Sequence, residues 1–145
     1  MKVKALALMD EAAAVYLATA EGGWPRVRAM VNLRRRNLYP GAAAFYRAQG
    51  FTVYFSTSLA SGKVREIRAN PAVAVYYCDP EKFHGVMLAG EMEILGDAGL
   101  KETLWSEGWR VYWPAGPGDP DYVVLRLQPA RAEGWRGTAP FHFGL

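Results

Sequence analysis

Short runs of β-branched, aromatic and other apolar residues, each closed by a turn signal, recur along this chain and restrict it to a sheet built largely from hairpins. Residues 15–20 form the first run. Glu21-Gly22-Gly23-Trp24-Pro25 then turns the chain. Residues 26–33 alternate polar and apolar positions and return as the hairpin partner. Period-two alternation places Arg28, Met30 and Asn32 on one face, with Val27, Ala29, Val31 and Leu33 on the other, expected to pack in the core. Further strands are expected over 49–55, 72–77, 86–95 (with Gly90 as a bulge), 122–128 and 130–135. Helices are expected over 2–14, with Leu6, Met9 and Ala13 on one face, and over 42–48, 64–69 and 98–109, the last with Leu100, Leu104 and Trp105 inward. The sum is a mainly β chain with a few helices at the ends of the sheet. A closed or partly closed antiparallel barrel suits it best, because closure hides sheet edges.

A length of 145 residues argues for a single domain, 1–145. A chain of this size buries roughly 68–70% of its unfolded surface, enough for a core. Apolar residues make up 51% and charged residues 21%, which excludes a disordered chain. No apolar run is long enough to cross a bilayer. The N-terminal apolar stretch is broken by Asp10-Glu11 before any cleavage pattern, so a cytoplasmic protein is expected. The single cysteine, Cys78, fits a reducing compartment. A net charge of +3 with one basic run, Arg34-Arg35-Arg36, and no recognition motif argues against nucleic acid as a partner.

The chemistry concentrates at Ser56-Thr57-Ser58-Leu59-Ala60-Ser61-Gly62-Lys63, expected as a turn between strand 49–55 and helix 64–69. A strand–turn–helix aims backbone N–H groups and a positive helix end at one spot. The hydroxyls and Lys63 would complete a phosphate seat. A turn whose Ser and Thr merely cap the helix is the competing reading. His84, His142 and Cys78 have no metal-site spacing, so no metal is expected. Trp105, Trp109, Tyr112 and Trp113 form an aromatic cluster, read as core or interface packing or, alternatively, as a substrate wall.

In order along the chain, these pieces resemble the split-barrel flavoproteins related to pyridoxamine 5′-phosphate oxidase, in particular their general stress protein subgroup. The matching segments are Tyr16-Leu17-Ala18-Thr19, Trp24-Pro25-Arg26-Val27-Arg28-Ala29-Met30, Phe55-Ser56-Thr57-Ser58 with Ser61-Gly62-Lys63, Arg68-Ala69-Asn70-Pro71, Gly90-Glu91-Met92-Glu93, and the closing segment from Gln128 to Trp135. The resemblance implies a six-stranded antiparallel split β-barrel and a homodimer with FMN bound at the subunit interface. It assigns Arg28, Ser61 and Lys63 to the FMN phosphate and the backbone of Met30, Val31 and Asn32 to the flavin ring. Ser56 and Thr57 fall at the ring and phosphate edge, and Trp135 approaches from the second subunit. Leu33, Gly62 and Phe141-His142-Phe143 replace residues that serve the vitamin oxidase. The implied function is therefore an FMN-dependent oxidoreductase that does not act on vitamin B6, with no acid–base residue assigned. A non-catalytic flavin-binding or stress-response module and an F420-dependent reductase are the alternatives.

Overall fold

A computed structural model describes residues 1–145. The elements run α1 (Lys2–Glu11), β1 (Val15–Glu21), β2 (Trp24–Met30), α2 (Pro40–Tyr46), β3 (Val53–Ser58), α3 (Gly62–Ala69), β4 (Ala72–Asp79), β5 (His84–Leu95), α4 (Ala98–Thr103), β6 (Tyr122–Leu127), β7 (Arg131–Arg136) and β8 (Ala139–Gly144). Short 3-10 turns occupy Glu107–Val111 and Gly116–Gly118. The strands form one curled antiparallel sheet in the order β2-β1-β4-β5-β6-β3, the half-barrel of a split-barrel fold. The expected six-stranded path is present. The β7–β8 hairpin is added on the edge of β5, and β8 lies outside the strands expected from the sequence.

β5 is the corner of the barrel. Its first half, from His84 to Ala89, pairs with β7, and its end, from Met92 to Leu95, pairs with β6. Gly90 sits between these stretches within an unbroken strand, and a Cβ there would press on Leu127 and the Gln128 carbonyl. The expected bulge is thus a change of partners at a glycine. At Gly134 a Cβ would enter the backbone carbonyl of Gly85. Gly134→Ala should therefore push β7 off β5 and destabilise the protein by about 1–3 kcal/mol, the usual cost of overpacking. An unchanged thermal melt would contradict that close approach.

Two apolar clusters lie on either side of β3 and β6. The larger fills the barrel with Leu17, Val53, Phe55, Val75, Val86, Leu88, Leu125 and Leu127, closed by Ala5, Leu8, Met9 and Ala12 from the α1 region. The smaller collects Leu33, Tyr46, Tyr54, Leu104, Trp113, Tyr122 and Val124. Successive side chains of a strand face opposite sides, so Phe55 and Leu125 serve one cluster while Tyr54 and Val124 serve the other.

Four local expectations are corrected. The first helix stops at Glu11, and its buried residues are Ala5, Leu8 and Met9, with Ala13 exposed. The third strand begins at Val53 and runs through Ser58, because Ser58 still pairs with Tyr122. Helix 98–109 divides into α4 and the 3-10 turn, with Leu104 fully buried after the break. The faces of β2 are inverted. Leu17 pairs with Arg28 and Val15 with Met30, so Arg28 and Met30 share the inward face of Val15 and Leu17. Val27 is 69% and Val31 48% exposed. β2 is an edge strand whose outer face no other element of the chain covers. Leu33 is buried as expected, but in the smaller cluster, after the strand has ended.

Candidate functional site

A cavity of about 310 Å³ opens between the end of β2, strand β3 and the segment around Glu107–Val111. Ala29, Met30, Val31 and Leu33 line one side, and Phe55, Ser56, Thr57 and Ser58 line the floor. Ser61 and Lys63 stand at one end, and Trp109, Tyr112 and Trp113 form the facing wall. Of the residues singled out in the sequence, Met30, Val31, Ser56, Thr57, Ser61 and Lys63 come together here.

The polar end is built by α3. The Ser61 side chain accepts from the Val64 N–H at 3.5 Å, capping the helix. The first N–H groups of a helix have no intrahelical partner, so those of Gly62 and Lys63 are free to donate beside the Ser61 hydroxyl. Lys63 is half-buried and has no ion-pair partner within the chain. Burial lowers its pKa, and the Arg28 charge lowers it further, while Glu66 acts in the opposite sense. An unpaired ammonium beside free N–H groups and a hydroxyl is an arrangement suited to an anion.

Arg28 stands behind this end rather than in the cavity wall. Its Nη2 donates to Glu66 Oε1 at 2.6 Å, and its Nη1 donates to Thr19 Oγ1 at 2.9 Å and to the Leu17 carbonyl at 3.4 Å. The Thr19 hydroxyl in turn donates to Glu66 Oε1 at 2.7 Å. Arg26 Nη1 lies 3.2 Å from Glu66 Oε2, and Glu21 bridges Arg26 and Arg65 at the rim. Glu66 is 4% exposed. The hydrogen bonds from Thr19 and Arg28 hold its pKa at about 2 against the opposing effect of burial.

Two other sequence candidates lie apart from the cavity. The buried Asn32 side chain donates to the Met9 and Ala12 carbonyls, each at 2.8 Å, and accepts from the Arg34 N–H, tying the end of β2 to α1. Trp135 lies on β7 at a second cavity, with its ring centroid 6.1 Å from that of Tyr76.

The aromatic wall is held from behind. Trp113 Nε1 donates to Ser58 Oγ at 3.1 Å, and Ser56 Oγ lies 3.1 Å from the Tyr122 hydroxyl, which donates to the Lys101 carbonyl. Trp113 packs 4.9 Å from Tyr122 and 6.0 Å from Trp109, centroid to centroid. Both sequence readings of these rings hold in part: Trp113 belongs to the smaller core cluster, and Trp109, Tyr112 and Trp113 all border the open cavity. Glu66 was absent from the sequence candidates. No signal in the sequence pointed to it, because alternation put Arg28 on the face opposite the expected core; once the register turns Arg26 and Arg28 inward, a buried counter-charge is required.

The family model described as pyridoxamine 5′-phosphate oxidase matches residues 1–136. General stress protein 26 of Bacillus subtilis (strain 168) is 31% identical over 132 residues, which cover 89% of this chain and 84% of that protein. The crystal structure of a Clostridium acetobutylicum protein related to general stress protein 26 superposes with a TM-score of 0.77 at 28% identity, covering 99% of this chain and 94% of that one. A pyridoxamine 5′-phosphate oxidase-related, FMN-binding protein of Nostoc punctiforme shares the fold, with a TM-score of 0.60 at 18% identity over 97% of this chain and 85% of that one.

Proposed function

This chain belongs to the pyridoxamine 5′-phosphate oxidase family, and on that premise we propose that it binds FMN in the cavity between β2 and β3 as a flavin-dependent oxidoreductase. The observation that carries this reading is the unpaired Lys63 beside Ser61 at one end of an otherwise mainly apolar slot. A phosphorylated flavin has the same polarity, an anionic end on an apolar ring. Ser61, Lys63 and the first N–H groups of α3 would hold the phosphate, with Arg28 supplying charge from behind. Met30 and Val31 would flank the ring, and Ser56 and Thr57 would meet its polar edge. When bound, FMN would supply hydride and electron transfer, while the protein orients it and excludes water. The protein purified from its host should carry a yellow chromophore, identified as FMN by mass spectrometry at about one per chain, as one pocket per subunit requires. A colourless protein that takes up no added FMN would overturn the reading.

The second subunit belongs to the same proposal. Tyr16 on β1, Val27 on β2 and Val31 just after β2 expose apolar surface on the outward side of the sheet, with Val31 lining the cavity, the kind of patch that marks an interface. A homodimer formed through this face would close the slot, and Trp135 of the second copy would complete it. Val27→Asp should convert the dimer to a monomer in light scattering and weaken FMN binding. A wild-type monomer that still holds FMN would contradict the assembly.

The cavity wall contains no carboxylate, imidazole or thiol. That favours, as a second reading, a module that holds flavin without turnover. Flavin-dependent oxidation of a reduced nicotinamide across a panel of acceptors would decide for the enzyme. FMN binding without turnover would decide for the module.

A further inference from the structure

Lys63 lines the cavity, and beside it Arg26, Arg28 and Arg65 form one ion-pair network with the carboxylates of Glu21 and Glu66. These four cations and two anions leave a surplus of two positive charges. Glu66 sets that surplus, because it binds Arg28 and Arg26 at once and is buried behind them. We infer that the seat is matched to the dianion of a phosphate monoester, with Glu66 as the counter-charge that holds the excess at two, and that it discriminates against singly charged phosphodiesters. The inference rests on the FMN reading and sharpens it. The phosphate of F420 is joined to two carbon groups and so bears a single charge, whereas FMN ends in a monoester that reaches two.

The surrounding groups support the count. From β3 the seat meets only hydroxyls, at Ser56, Thr57 and Ser58. Asp121 accepts from the Ala60 N–H in the turn before α3 and does not line the cavity. Glu107 and Arg110, on the turn that carries the aromatic wall, pair with each other. The charges acting on Lys63 are those of Arg28 and Glu66. Glu66 stays ionised throughout the neutral and mildly acidic range, since its pKa is about 2.

A monoester phosphate takes up its second proton near pH 6. A site that prefers the dianion lowers that pKa in the complex, so affinity must fall as pH drops below about 6. The test titrates the flavin-free protein with FMN, riboflavin 4′,5′-cyclic phosphate and riboflavin between pH 5 and 7.5, following flavin fluorescence. At pH 7.5 FMN should bind at least tenfold more tightly than the cyclic diester. FMN affinity should weaken towards tenfold per pH unit below about 6, while riboflavin affinity stays flat. Lys63→Met, which reduces the surplus to one, should flatten the FMN profile and narrow the gap to the cyclic diester. Equal affinities for FMN and the cyclic diester, or an FMN profile that parallels riboflavin, would overturn charge matching while leaving the flavin reading intact. Failure of all three flavins to bind would overturn both.

Discussion

Glu66→Ala should cost about 3–5 kcal/mol of folding stability, the range for removing one partner of a buried ion pair. Its carboxylate is the common acceptor for the Thr19 hydroxyl and the Arg28 guanidinium and lies 3.2 Å from Arg26. Without it, Thr19, which is almost fully buried, loses its acceptor, and Arg28 keeps a half-buried charge on the apolar face of β2. Glu66→Gln retains the shape and part of the hydrogen bonding, so it should cost less. Urea denaturation at pH 7 measures both. A loss below about 1 kcal/mol for the alanine variant would mean that solvent takes over the role of the carboxylate, as it does in surface pairs.

The same group gives the protein a pH dependence with a defined sign. Its pKa is depressed to about 2 in the folded state. An unfolded chain therefore binds a proton at Glu66 before the folded one does, and stability falls with pH across that interval. The contribution is complete above the ordinary carboxylate range and is lost as pH drops towards about 2. In Glu66→Gln this part of the acid-induced loss should disappear, so the stability profiles of the two proteins should converge as pH falls below about 4.5.

Lys63→Ala should weaken FMN by about 10–100-fold, the equivalent of one hydrogen bond to a charged group at about 1.5–3 kcal/mol. Riboflavin, which has no phosphate, should bind the variant almost as well as the wild type. The comparison within one variant removes any general change in the slot. Lys63 suits this test because no other side chain depends on it for an ion pair, whereas Arg28→Ala would also strand Glu66. Parallel losses for FMN and riboflavin would move the phosphate away from the N-terminus of α3.

Much of this molecule was legible in its sequence. Turn signals and alternating apolar residues marked the strands of the main path, and the helix expected over 64–69 lies within α3, which starts two residues earlier at Gly62. The cluster from Ser56 to Lys63 could be singled out as a candidate anion seat because hydroxyls, a glycine and a lysine before a helix present donors whatever the global fold, and the structure brings Ser56, Thr57, Ser58, Ser61 and Lys63 to one cavity. Other features were not readable. Alternation shows that β2 has two unlike faces, but which face turns inward is decided by its register with β1, where Leu17 meets Arg28. Two cations therefore occupy the inward side, and Val27 and Val31 are left outside on an edge.

The β-rich half-barrel, the capped helix and the residues at the polar end of the cavity could be read from the chain alone, because they depend on local propensity and short-range chemistry. The meeting of Glu66 with Arg28, Arg26 and Thr19, and of Trp109 and Tyr112 with Met30 around one cavity, came only with the folded chain. Those contacts span long stretches of chain, and a buried charge is tolerated only where folding brings a partner to it.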